Sequence, residues 1–306
     1  MKQSTLSLDE FSASVLAVPP LARRSDLTVD DAANRQLIRH IEQGGIRTLL
    51  YGGNANLYHM PMREFAPMLG MLADAAGPQT RVIPSVGPDF GKMIEQAHLL
   101  RNSGYQTAMV LPMQGFTTPQ GVADGLTRFV DRAGMPVTLY IKSEHYVDLD
   151  TLQALVEAGT VLCVKYAIVR AEPENDLFLQ TMIDRISSRR IVSGMGERPV
   201  LAHLAQFGLA SFTTGSGCIA PMACMALLRA LQNQDMAEAL RLHALFLPLE
   251  TLRDAVSLIR VLHDAVSLSG VADMGAQLPL LSPSPAAMRP EIEATAKRLL
   301  AANGHV

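Results

Sequence analysis

The sequence predicts an α/β fold, a (β/α)8 TIM barrel with additional C-terminal helices. Eight short β-branched or aliphatic runs recur, their starts 20 to 35 residues apart. Most of the gaps hold an amphipathic segment with helix-start signals. Glycines fall at or just after the ends of several of those segments, shortly before the next run.

The strands are expected at residues 14–18, 46–51, 81–86, 107–111, 136–141, 161–165, 190–193 and 210–214. Between them the helical pattern covers 30–44, 61–76, 89–103, 118–133, 150–158, 174–187 and 199–207. Gly44, Gly104, Gly134, Gly159 and Gly208 are placed where a left-handed residue closes a helix at little steric cost. Strands joined by crossover helices run parallel, and eight of them close into a barrel. An open doubly wound sheet is the alternative. It is disfavoured because no GxGxxG follows the first strand, and Gly52-Gly53-Asn54 after the second has the wrong spacing. Residues 1–218 are assigned to the barrel. Residues 219–306 form a helical extension packed on it, with helices at 220–233, 236–268 and 289–302 and no convincing strand.

Composition narrows the function. The 306 residues are 48% hydrophobic and 18% charged, with net charge −3 and no block of five like charges, which argues against a nucleic-acid partner. With no Trp but 16 Met, the core is aliphatic and thioether-filled. Cys163, Cys218 and Cys224 form no CxxC pair and no metal-ligand spacing with histidine, so a reducing compartment is expected, without disulfides or zinc. No apolar run has the length of a membrane helix, and the start lacks the apolar stretch of a signal peptide. A cytoplasmic protein with no metal, cofactor or membrane partner is the expectation.

In such barrels the reactive groups sit at the carboxyl ends of the strands. Lys165 interrupts the apolar run Val161-Leu162-Cys163-Val164 at such an end. Burial strips an ammonium of water and lowers its pKa, and the neutral amine can attack a ketone to form a Schiff base. The competing reading is a lysine that reaches out of the barrel mouth or pairs with a carboxylate. Tyr140 ends the neighbouring strand at the same end, where its phenol can exchange the protons that carbinolamine formation requires; ordinary aromatic packing is its alternative. Gly52-Gly53-Asn54 presents backbone N–H groups suited to a carboxylate or phosphate, and Gly194 and Gly215-Ser216-Gly217 could do the same at other strand ends. Each could equally serve chain reversal alone. Asn56, Lys142 and His145 are candidate entrance residues; His59 and Glu197-Arg198 are polar loop positions, lining or solvated. His98, His203 and His243 lie within helical patterns and read as surface or packing histidines.

With these residues in order, the chain resembles the dihydrodipicolinate synthase and N-acetylneuraminate lyase family of class I aldolases, over residues 14–220 and the helical tail. Gly52-Gly53-Asn54-Ala55-Asn56 stands where the family has its Gly-Thr-Thr-Gly-Glu motif after strand two. Tyr140 matches the strand-five tyrosine, Lys165 the strand-six Schiff-base lysine, Gly194 the glycine after strand seven, and Gly215-Ser216 the small residues after strand eight. The resemblance implies a homotetramer of barrels that condenses Lys165 with pyruvate or another 2-oxo acid and makes or breaks the C–C bond at C3. It also implies carboxylate binding by the Gly53 and Asn54 amides, with Gly194, Gly215 and Ser216 lining the pocket. The same iminium serves dehydration of a deoxy sugar acid, and a barrel that binds 2-oxo acids without turnover is a third reading.

The departures are specific. Asn54 replaces the second threonine, a relay hydroxyl, and Asn56 replaces the acidic residue. Met113-Gln114 stands at the tyrosine pair after strand four, and Tyr140-Ile141-Lys142-Ser143 replaces Tyr-Asn-x-Pro. The loop that follows is about three residues shorter against the strand spacing and lacks the synthases' substrate-binding arginine; Lys142 or His145 is the candidate replacement. Synthesis in the diaminopimelate pathway is therefore not expected.

Overall fold

The computed structural model describes residues 7–305 apart from Gln114. The start of the chain through residue 6 and the Gln114 half of the strand-four comparison therefore lie outside the described residues. Eight parallel strands close into one barrel in sequence order: β1 Leu16–Ala17, β2 Thr48–Tyr51, β3 Arg81–Val86, β4 Ala108–Val110, β5 Val137–Ile141, β6 Val161–Tyr166, β7 Ile191–Ser193 and β8 Ser211–Thr214. Leu16 pairs with Thr48 on one side and Thr213 on the other, which seals the ring. The strands are buried along nearly their whole length, so they read as continuous apolar runs without alternation.

The helices on the outside are α2 Asp31–Gln43, α3 Met62–Ala75, α4 Phe90–Leu100, α5 Pro119–Ala133, α6 Leu149–Glu157 and α7 Leu177–Ile186, preceded by a short α1, Leu8–Ser12, that the sequence pattern did not reveal. Asp30, Asp89, Thr118, Asp148 and Asp176 cap α2 and α4 to α7, each accepting a backbone N–H from the first turn. Gly104, Gly134, Gly159 and Gly208 are left-handed, as expected. Gly44 is not. The left-handed residue there is Gly45, and Gly44 is small for another reason: a Cβ on it would come within 2.3 Å of Pro221.

Two expected helices differ. Residues 199–207 form no α-helix but a wide π-helical turn, Leu201–Gln206, in which Phe207 N–H reaches the Ala202 carbonyl. The tail is helical, as α8 Pro221–Gln232, α9 Met236–Ala255, α10 Leu258–Ser269 and α11 Arg289–Ala302. The helix expected over 236–268 is thus two. Ser257 stands in extended conformation between α9 and α10, its side chain accepting the Arg260 N–H, so a serine cap breaks a pattern whose apolar period continues through it. α8 packs on α2 and α9, and α11 packs on α9 and α10. Among the described residues no helix is long and apolar enough to cross a membrane.

Candidate active site

The carboxyl ends of the strands surround a cavity of about 350 Å³. Val18 after β1, Gly53 and Asn54 after β2, Tyr140 and Lys142 from β5 onward, Lys165 on β6, Gly194 after β7 and Gly215 after β8 all line it. Lys165 is 5% exposed and makes no hydrogen bond or ion pair among the described residues. Tyr140 and Lys165 are register partners across β5 and β6, and the amine lies over the Tyr140 ring, 3.6 Å from its centroid. Burial, and then the nearby positive charge of Arg253, lower the lysine pKa from 10.5 to about 7. The aromatic face attracts an ammonium, but desolvation outweighs it. Burial raises the Tyr140 phenol above its usual value, against the pull of Lys142 and Arg253, and so keeps its proton on.

Room for the lysine comes from Gly194. Its N–H bonds the Tyr166 carbonyl at 2.6 Å, and a Cβ there would come within 2.7 Å of that oxygen and 2.9 Å of Lys165 Cγ. Gly215 does the same for Arg253, whose Cζ would lie 2.9 Å from an added Cβ. The Asn54 side chain donates to the Val18 carbonyl at 2.9 Å, which ties the β2 loop to the end of β1 and spends the amide that stands at the relay position.

Three expected site residues lie elsewhere. Ser216 does not line the cavity; it is fully buried and its Oγ donates to Glu250 Oε1 at 3.2 Å. Asn56, left-handed at φ 53°, turns its side chain into a separate small cavity shared with Arg23 and Gln277, where its amide atoms have no partner among the described residues. His145 is exposed on a neighbouring depression with Pro112, Met113 and Tyr146, which Lys142 also borders.

Behind β7 and β8 lies a buried polar cluster that the strand-end pattern did not disclose. Glu197, expected in a polar loop, is 0% exposed and accepts from Thr214 Oγ1, and from Cys224 Sγ at 3.5 Å. Burial, and then the neighbouring Glu250 carboxylate, raise its pKa to about 8. Glu250 Oε1 accepts from Arg253 Nη1 at 2.6 Å, and Arg253 Nε donates to the Leu258 carbonyl at 3.3 Å. Their signal in the sequence was charge placed among the buried apolar positions Leu249 and Leu252 of a helix. Tyr58 and Arg170 also line the cavity; Arg170 is held by Asp176 at 3.0 Å. His203 and His243 are buried packing groups. His203 Nδ1 is 2.8 Å from Ser193 Oγ, with burial lowering its pKa to about 4, and His243 Nε2 is 2.9 Å from the Glu197 carbonyl. His98 is exposed beside Arg132.

A search of curated proteins finds no match to this chain. Solved structures of the same fold include dihydrodipicolinate synthase from Bacillus clausii, at 20% identity and TM-score 0.82, covering 97% of this chain and 99% of that one. N-acetylneuraminate lyase from Fusobacterium nucleatum matches at 16% identity and TM-score 0.81, covering 95% and 99%. A prophage protein of the dihydrodipicolinic acid synthase family from Escherichia coli K12, solved in complex with pyruvate, matches at 17% identity and TM-score 0.81, covering 94% and 98%. The model of the dihydrodipicolinate synthetase family matches residues 13–299. This chain therefore belongs to the dihydrodipicolinate synthetase family, and it is an enzyme of the class I aldolase type, a lyase.

Proposed function

We propose that the protein makes or breaks a carbon bond of a 2-oxo acid of the pyruvate type through an iminium on Lys165. The observation that carries this reading is an amine that is buried, without an ion pair or hydrogen bond among the described residues, and beside a cavity, with a pKa lowered to about 7. Near neutral pH a large fraction of that amine is uncharged, the form with a free electron pair. The nitrogen adds to the keto carbon while the carbonyl oxygen takes a proton, giving a carbinolamine. Loss of water then leaves an iminium that draws electrons from the bond at C3. Tyr140, protonated and in contact with the amine, is the acid and base for these transfers. The Gly53 and Asn54 amides hold the substrate carboxylate, and Gly194 and Gly215 give the adduct space.

Dehydration of a deoxy sugar acid uses the same iminium and is separated from C–C cleavage by product analysis. The homotetramer implied by the resemblance is part of this proposal and is checked by sedimentation. The decisive experiment is borohydride reduction with pyruvate, in which hydride adds to the iminium carbon and leaves a secondary amine. The expected result is a stable adduct mapped to Lys165 and absent from Lys165→Ala. An unmodified Lys165 at every 2-oxo acid tested would overturn the proposal.

A further inference from the structure

The cavity is lopsided in charge. Besides the Lys165 amine, four cationic side chains, Lys142, Arg170, Arg198 and Arg253, line it against the single acidic side chain of Asp254. Arg198 pairs with Asp254, and Arg170 pairs with Asp176 and Glu144. Arg253 is different in kind. Its side chain is 6% exposed, Nη1 is spent on Glu250 and Nε on the Leu258 carbonyl, and Nη2 has no hydrogen-bond partner among the described residues. The guanidinium is largely enclosed but its Nη2 is not sealed off, so at the cavity wall it keeps a donor end free, and its planar fork matches a carboxylate. Glu250 Oε1 accepts from both Arg253 Nη1 and Ser216, and no hydrogen bond runs from Nη2 to Glu250.

Position separates this group from the β2 amides. In the closed eight-strand ring β2 faces β6 across the barrel, whereas Gly215, against which the guanidinium rests, follows β8, two strands from each. The mouth that holds the Lys165 amine therefore has two separate candidate anion-binding points, the β2 amides across the barrel and the Arg253 guanidinium two strands away. The volume of about 350 Å³ equals that of about twelve liquid waters at roughly 30 Å³ each, room well beyond a pyruvate.

We propose that Arg253 is a specificity-determining residue whose Nη2 takes a second carboxylate, so that the enzyme is built for a 2-oxo acid with another carboxylate at its far end. This rests on the Schiff-base reading above. Lys142, exposed at the rim of the same cavity and without an ion pair among the described residues, adds to the field that draws such a dianion in.

The test is borohydride trapping at Lys165 over concentration series of pyruvate, 2-oxoglutarate and 2-oxoadipate, using the full chain. A charge-assisted hydrogen bond predicts that at least one diacid reaches half-maximal trapping at about tenfold lower concentration than pyruvate, or lower still. In Arg253→Met and Arg253→Lys the ratio of the two half-saturating concentrations should fall toward one; the ratio cancels any change in the reactivity of the amine. Equal or weaker trapping of every diacid by the unaltered protein overturns the inference, a result that needs no folded variant. So does a preference that survives both substitutions. Absence of any adduct, pyruvate included, overturns the Schiff-base reading and this inference with it, whereas adducts without preference overturn this inference alone.

Discussion

The two sides of the barrel mouth are built on opposite principles. On the β5–β6 side one amine is buried over the face of Tyr140 with no ion pair among the described residues, its stem running past Gly194. On the β8–α9 side several polar groups are buried together in two bonded sets: Thr214 donates to Glu197, and Ser216 and Arg253 donate to Glu250. An isolated buried charge escapes its desolvation cost by giving up a proton, while a buried cluster offsets it through pairing. The first arrangement leaves an amine with a free electron pair at the cavity, and the second lines the cavity with paired polar groups. Both shift protonation, in opposite senses for stability: the lysine is driven toward its neutral form by losing a proton, and Glu197 by keeping one.

The sharpest way to break this contrast is Tyr140→Phe, which removes the hydroxyl and keeps the ring under the amine. Turnover should fall by roughly 10²–10⁴ if the phenol is the acid and base, with the adduct at Lys165 still formed, slowly, in borohydride trapping. Unchanged turnover would reduce Tyr140 to packing.

The two buried groups should next be separated by unfolding experiments across pH. Lys165 binds a proton more readily unfolded, at 10.5, than folded, at about 7, so stability rises with pH across that window. Lys165→Met should therefore stabilise the protein below the window and make no difference above it, the gap closing at up to about 1.4 kcal/mol per pH unit. Glu197 has the reverse sign. Its folded pKa of about 8 stands above the unfolded 4.5, so the stability it contributes is present below 4.5 and is lost as pH rises toward 8. Glu197→Gln should flatten that decline, and denaturation curves that keep the wild-type slope would show that the carboxyl is ionised in its cluster. The smallest effect is expected at Ser257→Ala, where losing the α10 cap should cost about 1 kcal/mol, read as a lower Tm. A larger rise in the pyruvate KM than this stability change explains would show that the α9–α10 break positions Arg253.

Legibility followed chain locality. Lys165 and Tyr140 could be read because a charge or phenol at the end of an apolar run is visible within one strand, and parallel pairing then sets the two side by side. Gly194 and Gly215 were visible as small residues, but what they make room for was not, since Lys165 and Arg253 are respectively one strand and one tail helix away. Ser216 is expected in the pocket and Asn56 at its entrance because loop position does not say which way a side chain turns.

The sequence by itself determined the barrel, its strand order and the lysine at its mouth, because period, capping and burial of a charge are local consequences of neighbouring residues. Only the tertiary structure decided that α9 stops at Ala255 and puts Arg253 on the wall of the cavity that holds the amine, that Glu197 is buried, and that Asn56 lines a separate cavity. Those facts depend on desolvation and on partners more than fifty residues apart in the chain, such as Glu197 and Glu250, which no short-range pattern encodes.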